Sequence, residues 1–493
     1  MENLRENKPT ADILMTSMRA MGYSFESAIA DIIDNSISAS AHNIWLRFPI
    51  DPLDCYVAIC DDGYGMTREE LFDAMKYGSE QKRGHRAADD LGRFGLGLKA
   101  ASLSQCRRLT VASKKNGEVS AYIWDLDVIL EKKDWYMIEC SPLEISSIKQ
   151  ISWLDNLDSG TIVVWENFDL IEKSSGNIYA ELNRFQDETA EYLSLIFHRF
   201  LNKSGAAKIN IKVNNFALKG MDPFLENHIK TNVRKRIEIP IEDSEGIERM
   251  VVVQPYVLPF QKDLSPEDKR LSGGIENYRS KQGFYVYRNE RLIVWGNWFG
   301  RHRDELTKYA RIRVDIPNSL DDIWGIDIKK QSARIPATIR KRLTRAVDEA
   351  MDIAIKAQKF RGRVDTEDDK IDYIWLPIKT REEQHTFVIN RDAQIFDLIR
   401  SKVDDETWAR IDMVLEEIEG ALPYQQIYID KSQNRIADTV DTERIAEIEA
   451  KARILISMAA AMGDSDKASI IERLFNSEPF NNFPELKVKL LEE

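Results

Sequence analysis

The first half of the chain mixes two periods of apolar residues, one typical of helices and one typical of strands. Residues 24–39 carry apolar side chains at helical spacing, among them Phe25, Ile29 and Ile33, so we expect a helix capped by Ser24. Short runs rich in apolar and β-branched residues predict strands at 43–48, 56–60, 109–113, 119–124 and 159–168. The chain therefore begins with a mixed domain of helices and strands.

From about residue 208 the pattern is dominated by strands. They are predicted at 208–213, 250–256 and 283–293, and a helix follows at 337–356. The polar and charged segment 361–370 is typical of a linker. Beyond it we expect strands at 371–378 and 386–389, and helices at 392–403, 406–419 and 442–463. These changes predict three regions, residues 1–200, 201–360 and 361–493.

Composition describes a globular protein. Of the 493 residues 43% are hydrophobic and 31% are charged, enough for the cores of several domains and unlike a disordered chain. The four cysteines lack metal-ligand spacing, which favours reduced thiols in or near the core over a disulfide or zinc set. No run approaches the roughly 18 apolar residues that a membrane span needs. We therefore expect no membrane contact and a cytoplasmic location.

The net charge of −13 argues against a surface that is basic throughout. Basic clusters nevertheless occur at 230–236, 301–303 and 340–345. Two interpretations stay open for them. They contact nucleic-acid phosphates if they line an inner surface of a dimer, or they are ordinary faces paired with nearby acids.

Asp31 and Asn35 lie four residues apart on the first predicted helix. That spacing places a carboxylate and an amide side by side on one helix face. A carboxylate can polarise a water, and an amide oxygen is a hard ligand suited to Mg²⁺. The alternative is a solvated polar stripe without a function.

Two glycine-rich segments follow. Asp61-Asp-Gly-Tyr-Gly-Met66 follows a predicted strand. Its carboxylate can accept a hydrogen bond from an exocyclic amine, and Gly63 and Gly65 let a flat ring approach the backbone. The alternative is a plain hairpin turn. Leu91-Gly-Arg-Phe-Gly-Leu-Gly-Leu-Lys-Ala-Ala-Ser102 runs into a helix start, where bare N–H groups can meet a phosphate. The polar segment between them suits a mobile cover or a surface loop.

These motifs, followed by Gly160-Thr161 before a strand, resemble in their order the Bergerat ATP-binding fold of GHKL ATPases, which gyrase, heat-shock chaperone ATPases, histidine kinases and MutL share. Ile32-Ile-Asp-Asn-Ser36, Tyr77-Gly-Ser79 and the run at 92–102 look most like MORC ATPases and their prokaryotic relatives. The resemblance implies an α+β architecture. An α/β sandwich ATPase domain with an N-terminal dimerisation segment is followed by a ribosomal-protein-like transducer domain and a small, mainly helical C-terminal region.

The resemblance also implies roles for single residues. Asn35 holds Mg²⁺, Asp61 reads the adenine amine, and Asp31 stands where the family usually has a glutamate as general base. Aspartate is shorter by one methylene, which leaves efficient turnover an open question. Lys330, or else Lys329, meets the γ-phosphate. Further nucleotide contacts fall on Gly63, Gly65, Met66, Gly92, Gly95, Leu96, Gly97, Leu98, Lys99 and Thr161.

By the same resemblance, the chain is a slow, Mg²⁺-dependent ATPase that acts as an ATP-gated homodimeric clamp or switch. Its partners are DNA or a nuclease, helicase or methyltransferase in restriction–modification or phage defence. The alternatives are a chaperone-like ATPase, or a scaffold that binds ATP without turnover because of Asp31. A histidine kinase is disfavoured, since it needs a phosphoacceptor helical pair where only 23 residues precede the first motif helix.

Overall fold

The computed structural model describes residues 10–20, 22–76, 97–260, 263–272, 278, 280–299, 307–321, 323–325, 348, 372–379, 385–400, 403–432, 442–461 and 466–492. Two compact units divide the chain, residues 1–358 and 359–493. The lid motif at 77–79, the helix predicted at 337–356 apart from Asp348, and the linker at 361–370 lie outside the described residues.

An eight-stranded sheet forms the first lobe of unit one. Its strands are β1 (Asn43–Arg47), β2 (Val57–Asp61), β3 (Arg108–Lys115), β4 (Glu118–Asp125), β5 (Ile138–Glu139), β6 (Gly160–Glu166), β7 (Asn210–Val213) and β8 (Phe216–Ala217). Their spatial order is β5-β4-β3-β6-β2-β1-β7-β8. Neighbours run antiparallel, except that β1 and β7 are parallel.

Nine helices are described in this lobe. They are α1 (Ala11–Arg19), α2 (Phe25–Ser38), α3 (Arg68–Met75), α4 (Gly97–Gln105), α5 (Leu126–Lys132), α6 (Pro142–Ser146), α7 (Asp169–Ser175), α8 (Ile178–Ile196) and α9 (His198–Leu201). Because strand side chains alternate between faces, Val57 and Ile59 of β2 join the helix-side core, while Ala58 and Cys60 pack on the opposite face. The predicted sandwich of sheet and helices is confirmed for this lobe.

Helix α2 lies in the interior of the lobe. Ten of its fourteen residues are buried, among them Asp31 and Asp34, and it packs against α4 and α8. The amphipathic pattern predicted a single buried stripe, and the structure shows burial over most of the circumference. The alternative of a solvated polar stripe is therefore wrong for this helix.

The second lobe of unit one is a six-stranded sheet. It comprises β9 (Asn232–Val233), β10 (Ile237–Glu242), β11 (Glu248–Val257), β12 (Gly283–Arg288), β13 (Arg291–Asn297) and β14 (Ala310–Ile316), with helix α10 (Pro266–Leu271) beside it in sequence. The order is β10-β11-β14-β12-β13, and β9 also pairs with β11. Its identity as a transducer domain stays a prediction.

The single strand predicted at 283–293 is wrong. The chain turns at Asn289 and Glu290, whose φ angles are 46° and 69°, so β12 and β13 form an antiparallel hairpin. The turn was missed because it contains no glycine or proline. Asparagine nevertheless tolerates the left-handed conformation that such turns require.

Unit two contains a hairpin and several helices. The hairpin is β15 (Trp375–Lys379) with β16 (His385–Ile389), and the helices are α11 (Gln394–Arg400), α12 (Asp405–Gly420), α13 (Tyr424–Ser432), α14 (Thr442–Ala461), α15 (Lys467–Leu474) and α16 (Pro484–Glu492). Residues of α14, α15 and α16 form its core, for example Ala452, Ile471 and Leu490. The predicted strands and helices are present here within a few residues of their expected ends.

All four cysteines are free thiols, three of them buried and Cys55 half-buried, as the sequence predicted. Among the described residues, no helix combines the length and the apolar content that crossing a bilayer requires.

Candidate functional site

Helix α2 brings the predicted general base and metal ligand into one site. Asp31 is only 2% exposed. Asn35, one turn further on, is half-buried, and within the described part of the chain its side-chain amide has no hydrogen-bond partner. The helix therefore presents a buried carboxylate beside an amide that is available to a ligand.

The two oxygens of Asp31 face different neighbours. Oδ2 accepts a hydrogen bond from the Tyr23 hydroxyl at 3.1 Å. A Cβ placed on Gly97 would lie 3.6 Å from the same oxygen, so Oδ2 faces the first residue of α4. Oδ1 lies 3.7 Å from Nη2 of Arg291, the first residue of β13. The carboxylate thus sits between the glycine-rich segment's end and the second sheet.

Arg291 is a fully enclosed cation. It is 1% exposed, and its Nε lies 2.8 Å from Oδ1 of Asp34. Burial lowers the pKa of the Arg291 guanidinium, but Asp34, the Tyr192 hydroxyl and Asp31 together raise it above its usual value. The charge of Arg291 therefore compensates the buried carboxylates of α2.

Asp61 ends β2 and forms the other end of the site. Its Oδ2 accepts from the Ser36 hydroxyl at 2.7 Å and its Oδ1 from the Gly63 N–H at 3.0 Å. A carboxylate has about four acceptor sites, so acceptor capacity remains for an exocyclic amine. Burial raises the pKa of Asp61 to about 6, although the hydrogen bonds from Ser36 and Gly63 act in the opposite direction.

The loop after Asp61 needs its glycines for steric reasons. Gly65 has a φ of 62°, and a Cβ there would lie 2.0 Å from the backbone oxygen of Lys114. A Cβ on Gly63 would lie 2.8 Å from the backbone oxygen of Ala39. A side chain at either position would push the loop away from the sheet and from α2.

Thr161 lies beside Asp61, because the two residues are register partners in β6 and β2. Its hydroxyl is 2.9 Å from that of Ser113. Ser113 Oγ accepts from the Met66 N–H at 2.8 Å and donates to the Gly160 carbonyl at 3.0 Å, so Thr161 is the donor in the pair. The oxygen of Thr161 keeps acceptor capacity next to the Asp61 carboxylate.

The phosphate-binding residues predicted at the end of the glycine-rich segment begin α4. Leu98 packs against the main core. Lys99 is buried, and its ammonium donates to the carbonyl oxygens of Ala74 at 2.8 Å and Lys76 at 2.5 Å, at the end of α3. A phosphate contact through Lys99 stays a prediction. Four further predicted site residues lie outside the described part of the chain, namely Gly92, Gly95, Leu96 and Lys330.

Four residues of this site were missed by sequence reasoning. Ser36 is the last residue of the motif Ile32-Ile-Asp-Asn-Ser36, and its position next to Asn35 could have indicated a role in the site. The others carry no local signal, because their role depends on residues distant in the chain. They are Tyr23, Ser113 and Arg291.

Residues 23–161 match the family described as histidine kinase-, DNA gyrase B-, and HSP90-like ATPase. The chain is similar to the ATPase morc-1 of Caenorhabditis elegans, with 33% identity over 97 residues, which is 20% of this chain and 11% of the worm protein. It is also similar to the chaperone protein HtpG of Bacillus velezensis, with 30% identity over 105 residues, 19% of this chain and 16% of the chaperone.

A second HtpG, from Natranaerobius thermophilus, is 31% identical over 111 residues, which cover 20% of this chain and 17% of that protein. The chain thus spans less than a fifth of the length of each of these relatives. The resemblance to GHKL ATPases, with a MORC protein among the similar sequences, is confirmed for the first lobe.

Proposed function

We propose that the first lobe binds ATP with Mg²⁺ and hydrolyses it slowly. The observation that carries this proposal is the order of three groups on α2. Asp31 faces the first residue of α4, Asn35 presents an amide without a hydrogen-bond partner among the described residues, and Ser36 donates to the Asp61 carboxylate. Along α2 the proposed general base comes first, the proposed metal ligand second and the contact to the proposed adenine site third. The γ-phosphate, the metal-bound phosphates and the adenine follow in the same order along ATP.

The adenine end fits the residues present. Asp61 keeps acceptor sites for the exocyclic amine, and the Thr161 oxygen lies at the neighbouring register position. Gly65 lets the loop backbone pack against β3 at Lys114, which places the loop beside the Asp61 carboxylate. These are the features that a purine with a donor amine needs.

The phosphate end fits a magnesium nucleotide. The Asn35 amide oxygen is a hard ligand with no hydrogen-bond partner in the described part of the chain, and Mg²⁺ bound by it would neutralise phosphate charge. The N–H groups at the start of α4 favour an anion. In the reaction a water attacks the γ-phosphorus, the bond to ADP breaks, and Asp31 accepts the proton of the water.

We further propose that ATP closes a homodimer through the lid and residues 1–23, and that the dimer clamps DNA or switches a nuclease, helicase or methyltransferase in restriction–modification or phage defence. Support comes from the resemblance to MORC proteins. The one basic cluster that is described supports DNA contact little, since Lys230 pairs with Asp263 at 3.0 Å and Arg236 with Glu238 at 3.0 Å.

A chaperone-like ATPase is the second candidate, favoured by the similarity to two HtpG proteins. A chaperone would suppress aggregation of a heat-denatured client in an ATP-dependent manner, which a clamp would not do. The scaffold without turnover differs from both, because it would bind ATP and release no phosphate.

Replacing Asn35 with alanine tests the ATP-gated dimer. We expect wild type to release phosphate from ATP and to dimerise with a non-hydrolysable analogue. The variant should lose both, with an ATP affinity at least about tenfold weaker, because a ligand to a charged group is removed. Phosphate release, nucleotide titration and light scattering measure these properties. Asn183→Ala on α8 is the matched control, since the hydrogen bond described for that amide goes to the Tyr179 carbonyl of the same helix.

A wild-type protein that stays monomeric with every nucleotide would contradict the gated dimer. Loss of both properties in Asn183→Ala as well would show that the variants report stability rather than nucleotide binding.

DNA clamping predicts a dependence on DNA topology. With the analogue bound, closed-circular DNA should stay associated through a wash at raised salt, whereas linear DNA should slide free, because a clamp holds by topology while phosphate contacts weaken with salt. Retention of the two forms after the wash is the measurement. Equal loss of both would count against a clamp and leave the ATPase proposal intact.

A further inference from the structure

The hairpin of β12 and β13 in the second lobe places an arginine against helix α2 of the first lobe. Arg291 begins β13 directly after the turn, and it is 1% exposed. Its guanidinium faces the α2 carboxylates on one side and lies 5.7 Å from the ring centroid of Phe197 on another. Burying a cation costs desolvation free energy unless the cation is paired with an anion. The partners of Arg291 therefore indicate its role.

The partners are unequal. Nε approaches Asp34 at 2.8 Å, while Nη2 approaches Asp31 at 3.7 Å. Asp34 is therefore the nearer partner of the guanidinium, and Nη2 faces Oδ1 of Asp31. Oδ2 of Asp31 accepts from Tyr23 and faces the start of α4, while Oδ1 lies at ion-pair distance from Arg291 and is attracted by its charge without a hydrogen bond.

The hairpin that carries Arg291 is itself braced. Arg288 forms a bidentate pair with Asp321 at 2.7 and 2.8 Å, and both residues are buried. Glu290 in the turn pairs with Lys203 and lies 3.5 Å from Arg199, both near the end of the first lobe's last helix. The guanidinium is thus carried on a fixed support that reaches from the second sheet to α9.

We propose that Arg291 is a positioning residue for Asp31, through which the second sheet sets the orientation of the general base. This inference rests on the proposed function, in which Asp31 activates the attacking water. Arg291 does not touch ATP. It fixes Oδ1 and thereby leaves Oδ2 directed at the reacting water.

The test compares Arg291→Lys with Arg311→Lys, a change at an equally buried arginine on β14 of the same sheet. Lysine keeps the buried positive charge, but it lacks the planar fork that reaches two carboxylates at once. For Arg291→Lys we expect the dissociation constant of ATP to stay within about threefold and kcat to fall by about tenfold to a hundredfold, as misplacement of a catalytic group does. Arg311→Lys should lower thermal stability with kcat within about twofold of wild type, because the contacts described for Arg311 are with Pro223, Tyr278 and Tyr285 and not with the carboxylates of α2.

Wild-type kcat in Arg291→Lys would overturn the assignment, and so would equal losses of kcat in the two lysine variants. If Arg291→Lys does not unfold cooperatively, Arg291→Gln combined with Asp34→Asn replaces the anchoring ion pair by an amide pair, and the same split between kcat and ATP affinity is expected. A wild-type protein that binds ATP without releasing phosphate would instead overturn the proposed hydrolysis, and this inference with it.

Discussion

Asparagine in place of Asp61 is expected to abolish ATP binding and, at neutral pH, to make the nucleotide-free protein more stable. The amide can still accept from the Gly63 N–H and donate to the Ser36 hydroxyl, so the fold survives. It cannot offer two acceptor oxygens, so we expect ATP affinity to fall by at least about a hundredfold. Removing a buried charge should meanwhile raise the melting temperature.

The sign of the stability effect follows from the raised pKa. Burial raises the pKa of Asp61 from 3.8 to about 6, so the group favours the folded state below its unfolded pKa and loses that contribution as pH rises through about 6. At pH 7 the cost of ionisation is on the order of 1–3 kcal/mol, which Asp61→Asn removes. ATP affinity of wild type should conversely weaken as pH falls below about 6.

Melting temperature and ATP titration at pH 5 and pH 7.5 measure both effects. Asp62→Asn is the matched control, because Asp62 accepts from the backbone N–H groups of His42 and Asn43 and lies next to the site without forming it. The control should lower stability and keep ATP affinity. Unchanged ATP binding in Asp61→Asn would contradict the base-recognition role.

Replacement of Asp31 by asparagine is expected to reduce turnover by about a hundredfold or more while ATP affinity stays within about threefold. The variant keeps the size of the side chain and the contact with Tyr23, and it leaves Asp34 and Arg291 as a neutral pair. If hydrolysis reopens the dimer, the variant should also accumulate as an ATP-bound dimer. Phosphate release and light scattering with ATP itself measure the two outcomes.

Glu26→Gln on the same helix is the control for Asp31. Glu26 lies five residues earlier and faces another side of α2, so its loss should leave turnover unchanged. Normal turnover in Asp31→Asn together with loss in Glu26→Gln would move the general base to Glu26. Normal turnover in both variants would show that neither Asp31 nor Glu26 is the general base.

Local pattern was sufficient for the elements that form the site. The helix predicted at 24–39 is α2, and the strands that end at Asp61 and begin near Thr161 are adjacent in the sheet. Short-range spacing determines these features, since helical neighbours and strand ends are read from a few residues. The nucleotide roles of Asn35 and Asp61 remain predictions that Asn35→Ala and Asp61→Asn test, and the role of Thr161 remains a prediction.

Features that depend on distant pairing were not predictable. Burial of Asp31 and Asp34 requires a compensating cation, and Arg291 comes from a different sheet. The resemblance implies a nucleotide contact for Lys99, and the structure adds carbonyl partners for its ammonium at the end of α3. Neither partner is encoded near the residue in question, and only the tertiary structure brings them together.

The parallel pairing of β1 with β7 has a consequence for synthesis of the protein. Asn43 and Asn210 are 167 residues apart, and β7 lies beyond the segment 23–161 that carries the ATPase similarity. Until β7 has emerged from the ribosome, β1 is an open sheet edge with unpaired backbone groups, and α8 has not yet added Leu182 and Leu193 to the core. The smallest fragment expected to fold by itself therefore extends past the ATPase motifs to at least Ala217, and any shorter nascent chain would depend on protection from aggregation.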